Sequence, residues 1–309
     1  MGKAVGVKTF TLRRAGILFL KWVGAVILVV GLALGGGYWY FHPAVEPAEN
    51  LVYTQREGRE LSIEVIRPQA SRGLGIVLVV SGSWKSNPDT GKLWLVAPLL
   101  RKGFTVLAVH HLSQPQATIM EIEEDLQRSI RFIRTQADSL GIDPDRIGIT
   151  GGSSGGHLSL MMVTTGGPGD PEASDLVERE SSAVQAAAVF FPVTDLLNLG
   201  DSTENPGDGG PPISYVKGFG PEATDMEQWK QIGREISPIY HVNEGQPPVL
   251  IFHGNADTLV PVDQSERFLE KATEAGAEVE LIVREGKGQG WARMLLDLGT
   301  IADWFEENL

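Results

Sequence analysis

Apolar residues along the chain fall into short runs that alternate with stretches of helical spacing. Residues 61–68, LSIEVIRP, alternate apolar and polar, the pattern of a strand with one face exposed. Residues 75–82, GIVLVVSG, and 104–110, FTVLAVH, are continuously apolar and bounded by glycine or polar residues. Such runs predict strands buried on both faces. Between 119 and 137, Ile119, Ile122, Leu126, Ile130 and Ile133 recur three or four apart, which predicts an amphipathic helix. The alternation continues with a strand at RIGIT from Arg146, a helix at HLSLMMVTT from His157 and a strand at AAAVFFPVTD from Ala186. A strand at PPVLIFHG from Pro247, a helix over 264–275, a strand over 279–283 and a final helix over 291–308 follow. Strands separated by helices predict an α/β fold, with a mostly parallel, doubly wound sheet and helices on both faces. Ligands of such sheets bind beyond the carboxyl ends of the strands, so the chemistry is expected just after each strand.

Two segments break this rhythm. Residues 22–41, WVGAVILVVGLALGGGYWYF, carry no charge and are long enough to cross the hydrocarbon core as a helix. Residues 1–21 form a basic tail, with Lys3, Lys8, Arg13, Arg14 and Lys21, and no acid appears before Glu46. The positive-inside rule then leaves the N-terminus in the cytoplasm and the rest outside it, in a single-pass inner-membrane protein. A cleaved signal peptide is the rival reading, with a shorter apolar region and a small-residue cleavage site. A proline-bearing linker, 42–50, precedes the globular part, 51–309. The second segment, 196–236, contains GDSTENPGDGGPP and is too long for an ordinary connection. It reads either as a surface loop or as a cap-like insertion over the strand ends, with Tyr215, Phe219 and Trp229 to bury.

Composition narrows the chemistry. The chain has 309 residues and no cysteine, which excludes disulfides, thiolate metal sites and cysteine nucleophiles. Its formal net charge is −13, and the acidic excess lies wholly beyond the basic tail. That balance argues against nucleic acid as a partner. GITGGSSGG lacks the lysine of a phosphate loop, and no metal or cofactor is expected.

Three strand ends carry candidate chemistry. In RIGITGGSSGGHLSL a strand meets a helix through G-x-S-x-G, with Gly151 and Gly155 flanking Ser153. A serine on so sharp a turn is a candidate nucleophile, and the N–H of Ser154 opens the helix beside it. After an earlier strand, VVSGSWKSN offers backbone N–H groups near Ser83 and Trp84 for an oxyanion. In FHGNADTLVP, Asp257 stands in the turn after a strand, where a carboxylate can orient a base. After the last strand the loop EGKGQGW lifts Gln289.

GGSSGGHLSL, HGNADTLVPVDQSERF and EGKGQGW, in that order, resemble the α/β-hydrolase fold, in particular its esterase and lipase-like members near the feruloyl and acetyl-xylan esterases. The resemblance covers about residues 51–309. It implies hydrolysis of carboxylic esters, acylated carbohydrate among them, with Ser153 as nucleophile, Asp257 as acid, and Ser83, Trp84 and Ser154 around the oxyanion. His111, Tyr215 and Trp291 are the candidate substrate contacts. The chain departs from the family twice. The oxyanion loop reads VSGSW where relatives often have HGGGW, and Gln289 stands where the family presents its catalytic histidine. An amide has no useful basicity. Three readings follow: an esterase weakened or rescued by another group, a hydrolase-fold protein that binds an ester-like or carbohydrate ligand without turnover, and an altered copy of an active esterase. Of the six histidines, His42, His110, His111, His157, His241 and His253, none lies in the loop after the last strand.

Overall fold

A strand buried on both faces must place alternate side chains in two separate cores. A computed structural model describes residues 10–87 and 93–309, with side chains from residue 19 onward, and shows this arrangement. Lys3 and Lys8 of the basic tail lie outside the described residues. The strands are β1 (Glu49–Arg56), β2 (Arg59–Ile66), β3 (Leu74–Val79), β4 (Phe104–Val109), β5 (Ile147–Gly152), β6 (Ala186–Phe190), β7 (Val249–Gly254) and β8 (Val279–Arg284). They form one sheet in the order β1-β2-β4-β3-β5-β6-β7-β8. From β4 to β8 every pairing is parallel, while β1 and β2 form an antiparallel hairpin at the edge.

The helices are α1 (Phe10–Phe41), α2 (Leu93–Arg101), α3 (Ile119–Thr135), α4 (Ala137–Leu140), α5 (Ser154–Thr165), α6 (Met226–Glu235), α7 (Asp263–Ala275) and α8 (Met294–Asn308). On one face of the sheet, Val77, Ile149 and Val189 pack with Ile122 and Ile130 of α3, Met161 of α5 and Phe268 of α7. On the other, Ile76, Val106 and Ala188 pack with Leu99 of α2 and Ile301 and Phe305 of α8. Helix α3 starts where the sequence predicts because Thr118 and Glu121 close a reciprocal capping box. Helix α7 ends at Gly276, whose φ of 78° suits a left-handed cap.

The strand β1 begins at Glu49, within the last two residues of the expected linker, and Glu57-Gly58 turn it back onto β2. Helix α5 begins three residues before the predicted HLSLMMVTT, directly after Ser153. Helix α8 starts at Met294, three residues later than predicted. Helix α1 is longer than the predicted span, and its segment Phe19–Phe41 has a mean hydropathy of 2.0 with no residue of its most apolar window buried.

The chain between β6 and β7 returns across the carboxyl edge of the sheet as 3-10 turns and α6. Phe219 and Trp229 are fully buried there with ring centroids 5.0 Å apart, and Phe219 meets Trp84 at 5.8 Å. The Trp229 indole N–H donates to the Gly209 carbonyl at 2.9 Å. His157 of α5 joins these parts: its Nδ1 accepts from Trp84 Nε1 at 3.1 Å and its Nε2–H donates to the Ile236 carbonyl at 2.7 Å.

Trp229→Ala should therefore lower the unfolding free energy by about 3–5 kcal/mol, the usual cost of emptying a large core site, read from the denaturation midpoint. Burial pushes the His157 imidazole down from 6.5 to about 4. The unfolded chain takes up that proton below about 6.5, whereas the folded one does not until near 4. This histidine's contribution to stability is thus complete above pH 6.5 and is lost as pH falls through that window. Nitrogen NMR of histidine-labelled protein should show residue 157 as the neutral Nε2–H tautomer at pH 5.5; a protonated ring there would contradict the assignment.

Candidate active site

The turn between β5 and α5 is possible only with glycine neighbours. A Cβ on Gly151 would stand 2.5 Å from the backbone of Gly155, and one on Gly155 would stand 2.8 Å from the Val79 carbonyl oxygen. Strand and helix thus touch backbone to backbone, and Ser153 is held at φ 55°, ψ −121°. Its N–H donates to Phe190 O at 3.0 Å, and its carbonyl accepts from His157 N at 2.9 Å. The hydroxyl projects from the carboxyl edge of the sheet at the mouth of a cleft.

Beside it, Gly82 and Lys85 exchange two backbone hydrogen bonds of 2.9 Å across Ser83 and Trp84, both at φ 54°. Positive φ at both central positions is the type I′ geometry, adopted here by two residues with side chains. The turn is anchored to the elbow: Trp84 N–H donates to Ser154 Oγ at 2.9 Å, and Ser154 Oγ lies 3.1 Å from Ser81 Oγ. Trp84 N–H is therefore occupied within the protein. Among the described residues, the N–H groups of Ser83 and Ser154 meet no protein acceptor and remain available to an oxyanion. Ser83 Oγ lies 3.2 Å from the Tyr215 hydroxyl.

Asp257 follows β7 in a tight turn. Its Oδ1 accepts from Leu259 N at 2.9 Å and Val260 N at 3.0 Å, while Oδ2 is buried with no hydrogen-bond partner. Burial raises its pKa above the usual carboxylate range, and the two backbone N–H groups work against that. His253 Nε2 lies 3.8 Å from Oδ2, yet this ring already donates to Val260 O at 2.7 Å and accepts from Ser265 Oγ at 2.7 Å. Burial lowers the His253 pKa, which disfavours the charged ring beside Asp257.

The loop after β8 is laced to the Asp257 turn. Ala256 N–H donates to Lys287 O at 2.8 Å, and Gly286 N–H donates to Asn255 Oδ1 at 2.7 Å. A Cβ on Gly254 would meet Lys287 O at 2.2 Å, so glycine is needed at the crossing. The loop carries half-buried Gln289 to the elbow, where its Nε2–H donates to Ser153 Oγ at 2.8 Å.

The Ser153 cleft encloses about 410 Å³, counting the space open to solvent, and is lined by Ser83, Leu196, Glu204, Tyr215 and Val260 among others. Tyr215 thus shares a cleft with Ser153. His111 does not: it lines a separate polar cleft with Glu64 and Ser86, and burial pushes its pKa down to about 4. Trp291 packs edge-on against Phe190 and Phe191 and donates to Asp297 Oδ2 at 2.6 Å, outside the cleft lining. Sequence reasoning missed Glu204, whose carboxylate accepts from Ser214 N at 2.8 Å and Oγ at 3.0 Å. Nothing in a polar, glycine-rich stretch distinguishes the one acid that folds inward. Among the described residues no histidine lines this cleft, and no group of three His, Asp or Glu side chains is placed to hold a metal ion.

The BD-FAE family model matches residues 64–272, which contain Ser153 and Asp257 but end before Gln289. Among curated proteins, the chain is 29% identical over 194 residues to the probable carboxylic ester hydrolase LipM of Mycobacterium tuberculosis, covering 62% of this chain and 43% of LipM. It is 29% identical to esterase LipQ of the same organism over 71% of this chain and 51% of LipQ. The chain thus spans about half the length of these two relatives. Among solved structures, native esterase 2 of Thermogutta terrifontis aligns with a TM-score of 0.67 at 28% identity, over 84% of this chain and 91% of that one. A truncated carbohydrate esterase from gut microbiota aligns with a TM-score of 0.68 at 25% identity, over 86% and 98%. With a mostly parallel sheet, the Ser153 elbow and these relatives together, the chain belongs to the BD-FAE family, among the esterases of the α/β-hydrolase fold.

Proposed function

We propose that the protein is a membrane-anchored carboxylic ester hydrolase in which Gln289 holds Ser153 unactivated, so that it binds esters and turns them over slowly. The observation that carries this reading is the group that stands against the hydroxyl: the Gln289 amide, 2.8 Å from Ser153 Oγ. Attack on an ester requires the hydroxyl to lose its proton to a base. Here the neighbouring group is an amide, which has no useful basicity and takes up no proton.

The remainder of the site supports an ester ligand. The carbonyl oxygen would take the N–H groups of Ser83 and Ser154, which strengthens as negative charge develops on it. Asp257 Oδ2, buried and without a partner, is an acceptor to which a ring N–H from the neighbouring loop would be complementary. Each histidine ring nearest the elbow is engaged elsewhere, His157 with Trp84 and Ile236, His253 with Ser265 and Val260. Loss of a triad base costs on the order of 10⁶-fold in turnover, and oxyanion stabilisation with binding retains roughly 10³–10⁴ over water. Thermogutta terrifontis esterase 2, 27% identical in its form phosphoramylated by tabun, reacts with an organophosphorus agent, which favours such reagents as probes of this site. Helix α1 supplies the anchor, with the basic tail cytoplasmic and the catalytic part outside.

Gln289→His should raise the hydrolysis of a short-chain aryl ester by on the order of 10³-fold or more, because it supplies both a proton acceptor for Ser153 and a donor for Asp257. It should also speed fluorophosphonate labelling of Ser153. A folded variant with no gain would favour ligand binding without turnover. Ser153→Ala should remove the residual activity of the unaltered protein in the same assay; undiminished hydrolysis would refute the assigned nucleophile.

A further inference from the structure

A second cavity lies on the opposite side of the elbow from the Ser153 cleft. It holds about 1180 Å³, counting the space open to solvent. About 420 Å³ of it is space a water molecule could enter, within the roughly 300–1,000 Å³ usual for small-molecule sites, against about 40 Å³ in the Ser153 cleft. Among the described residues its walls are mostly apolar, with Leu95 and Leu99 of α2, Met294, Leu298 and Ile301 of α8 and Phe190 at the end of β6, while Ser81, Lys85, Asn87 and Thr150 supply polar groups. Its inner end is the backbone of Gly82 and Gly152. The next residues in the chain, Ser83 and Ser153, line the cleft of the candidate nucleophile. The reacting centre therefore stands between a small cleft with polar groups and a larger apolar chamber.

Helix α2, one wall of this chamber, is fastened to the end of the apolar helix α1. Arg101 closes α2, donates from Nε to the Tyr40 carbonyl at 3.2 Å and from Nη2 to the Trp39 carbonyl, and lies 3.9 Å over the Trp39 ring. Leu95 is six residues from Arg101 on the same helix. At about 1.5 Å per residue, the chamber wall comes within roughly 9 Å of the tether along the helix axis. Helix α2 also exposes Trp94, 42% accessible. A large aromatic side chain exposed on the helix tied to α1 suits the bilayer interface, where tryptophan is favoured.

We propose that this chamber receives an acyl chain of a membrane lipid ester, drawn from the bilayer in which α1 is seated. The assignment rests on the reading of α1 as an anchor and of Ser153 as the ester site. Each methylene moved from water into the chamber raises affinity about fourfold, so a long acyl chain is held far more strongly than an acetyl group. The narrower Ser153 cleft, with Glu204 and Tyr215 in its lining, is left for the polar alcohol part.

The test uses the full chain in phosphatidylcholine nanodiscs, with a fraction of the lipid carrying a photoactivatable diazirine at the end of one acyl chain. Irradiation and peptide mass spectrometry should give adducts on α1, and a second set on the α2 and α8 residues that line the chamber. Leu99→Trp and Leu298→Trp fill the chamber from different helices. Each should lower the second set relative to the α1 adducts about tenfold, equivalent to lost contact with roughly two methylenes. Adducts on α1 alone, or a ratio that neither substitution alters, would overturn the chamber's assignment and leave the anchor standing. No adducts on α1 would remove the anchor and the chamber's assignment together. Fluorophosphonate labelling of Ser153 in the same nanodiscs reports separately on the ester site.

Discussion

The site depends on a backbone contact between β5 and α5. Ser153 can stand at φ 55° on so sharp a turn only because Gly151 and Gly155 bring no Cβ to a place where strand and helix meet. The contact does two things at once. It lifts the hydroxyl clear of the sheet edge, and it aims the first N–H groups of α5 at the atom that hydroxyl would attack. The strained type I′ turn at Ser83-Trp84 is then pinned to the same place by Ser154 Oγ, so elbow and oxyanion turn move as one piece. Such preorganisation, with donors fixed before charge develops, is the largest single source of stabilisation in acyl transfer.

Against that preorganised half stands a half that lacks its proton chemistry. Asp257 is buried, satisfied on one oxygen and unsatisfied on the other. A buried acceptor without a partner carries a desolvation cost of about 1–3 kcal/mol. Gln289 fills the place between loop and elbow, and its amide points a donor at the serine. The shape of this loop is set by hydrogen bonds between the two loops, from the Ala256 N–H to the Lys287 carbonyl and from the Gly286 N–H to Asn255 Oδ1. None of those bonds involves the residue-289 side chain, so the loop is shaped in the same way whichever side chain it presents.

The two faces of the sheet have different duties at the elbow. On the α3, α5 and α7 side the insertion between β6 and β7 seals the core with Phe219 and Trp229 and borders the Ser153 cleft. On the α2 and α8 side, the described residues leave the apolar chamber near the carboxyl edge. This second side is also the one tied to α1. The apolar helix α1 and the chamber therefore belong to the same layer of the fold.

The α/β alternation was legible from the chain alone, because the unbroken apolar run of a doubly buried strand such as 104–109 and the 3.6 period of 119–135 are set by local geometry. The elbow and the Gln289 loop were equally legible, since their glycines answer to local crowding. The edge strand β1 and helix α2 were not, because β1 is half exposed and α2 carries a proline inside it, at Pro98. Other matters depend on residues far apart in sequence. That the Gln289 amide meets the Ser153 hydroxyl, why Trp84 N–H is engaged, and that His111 and Trp291 stand outside the cleft while Glu204 stands inside it are settled by contacts across more than one element. Periodicity and turn chemistry record where each segment turns and which face it buries. The partner of a polar side chain at the sheet edge is decided only when strand ends are assembled, because several acceptors then compete for each donor.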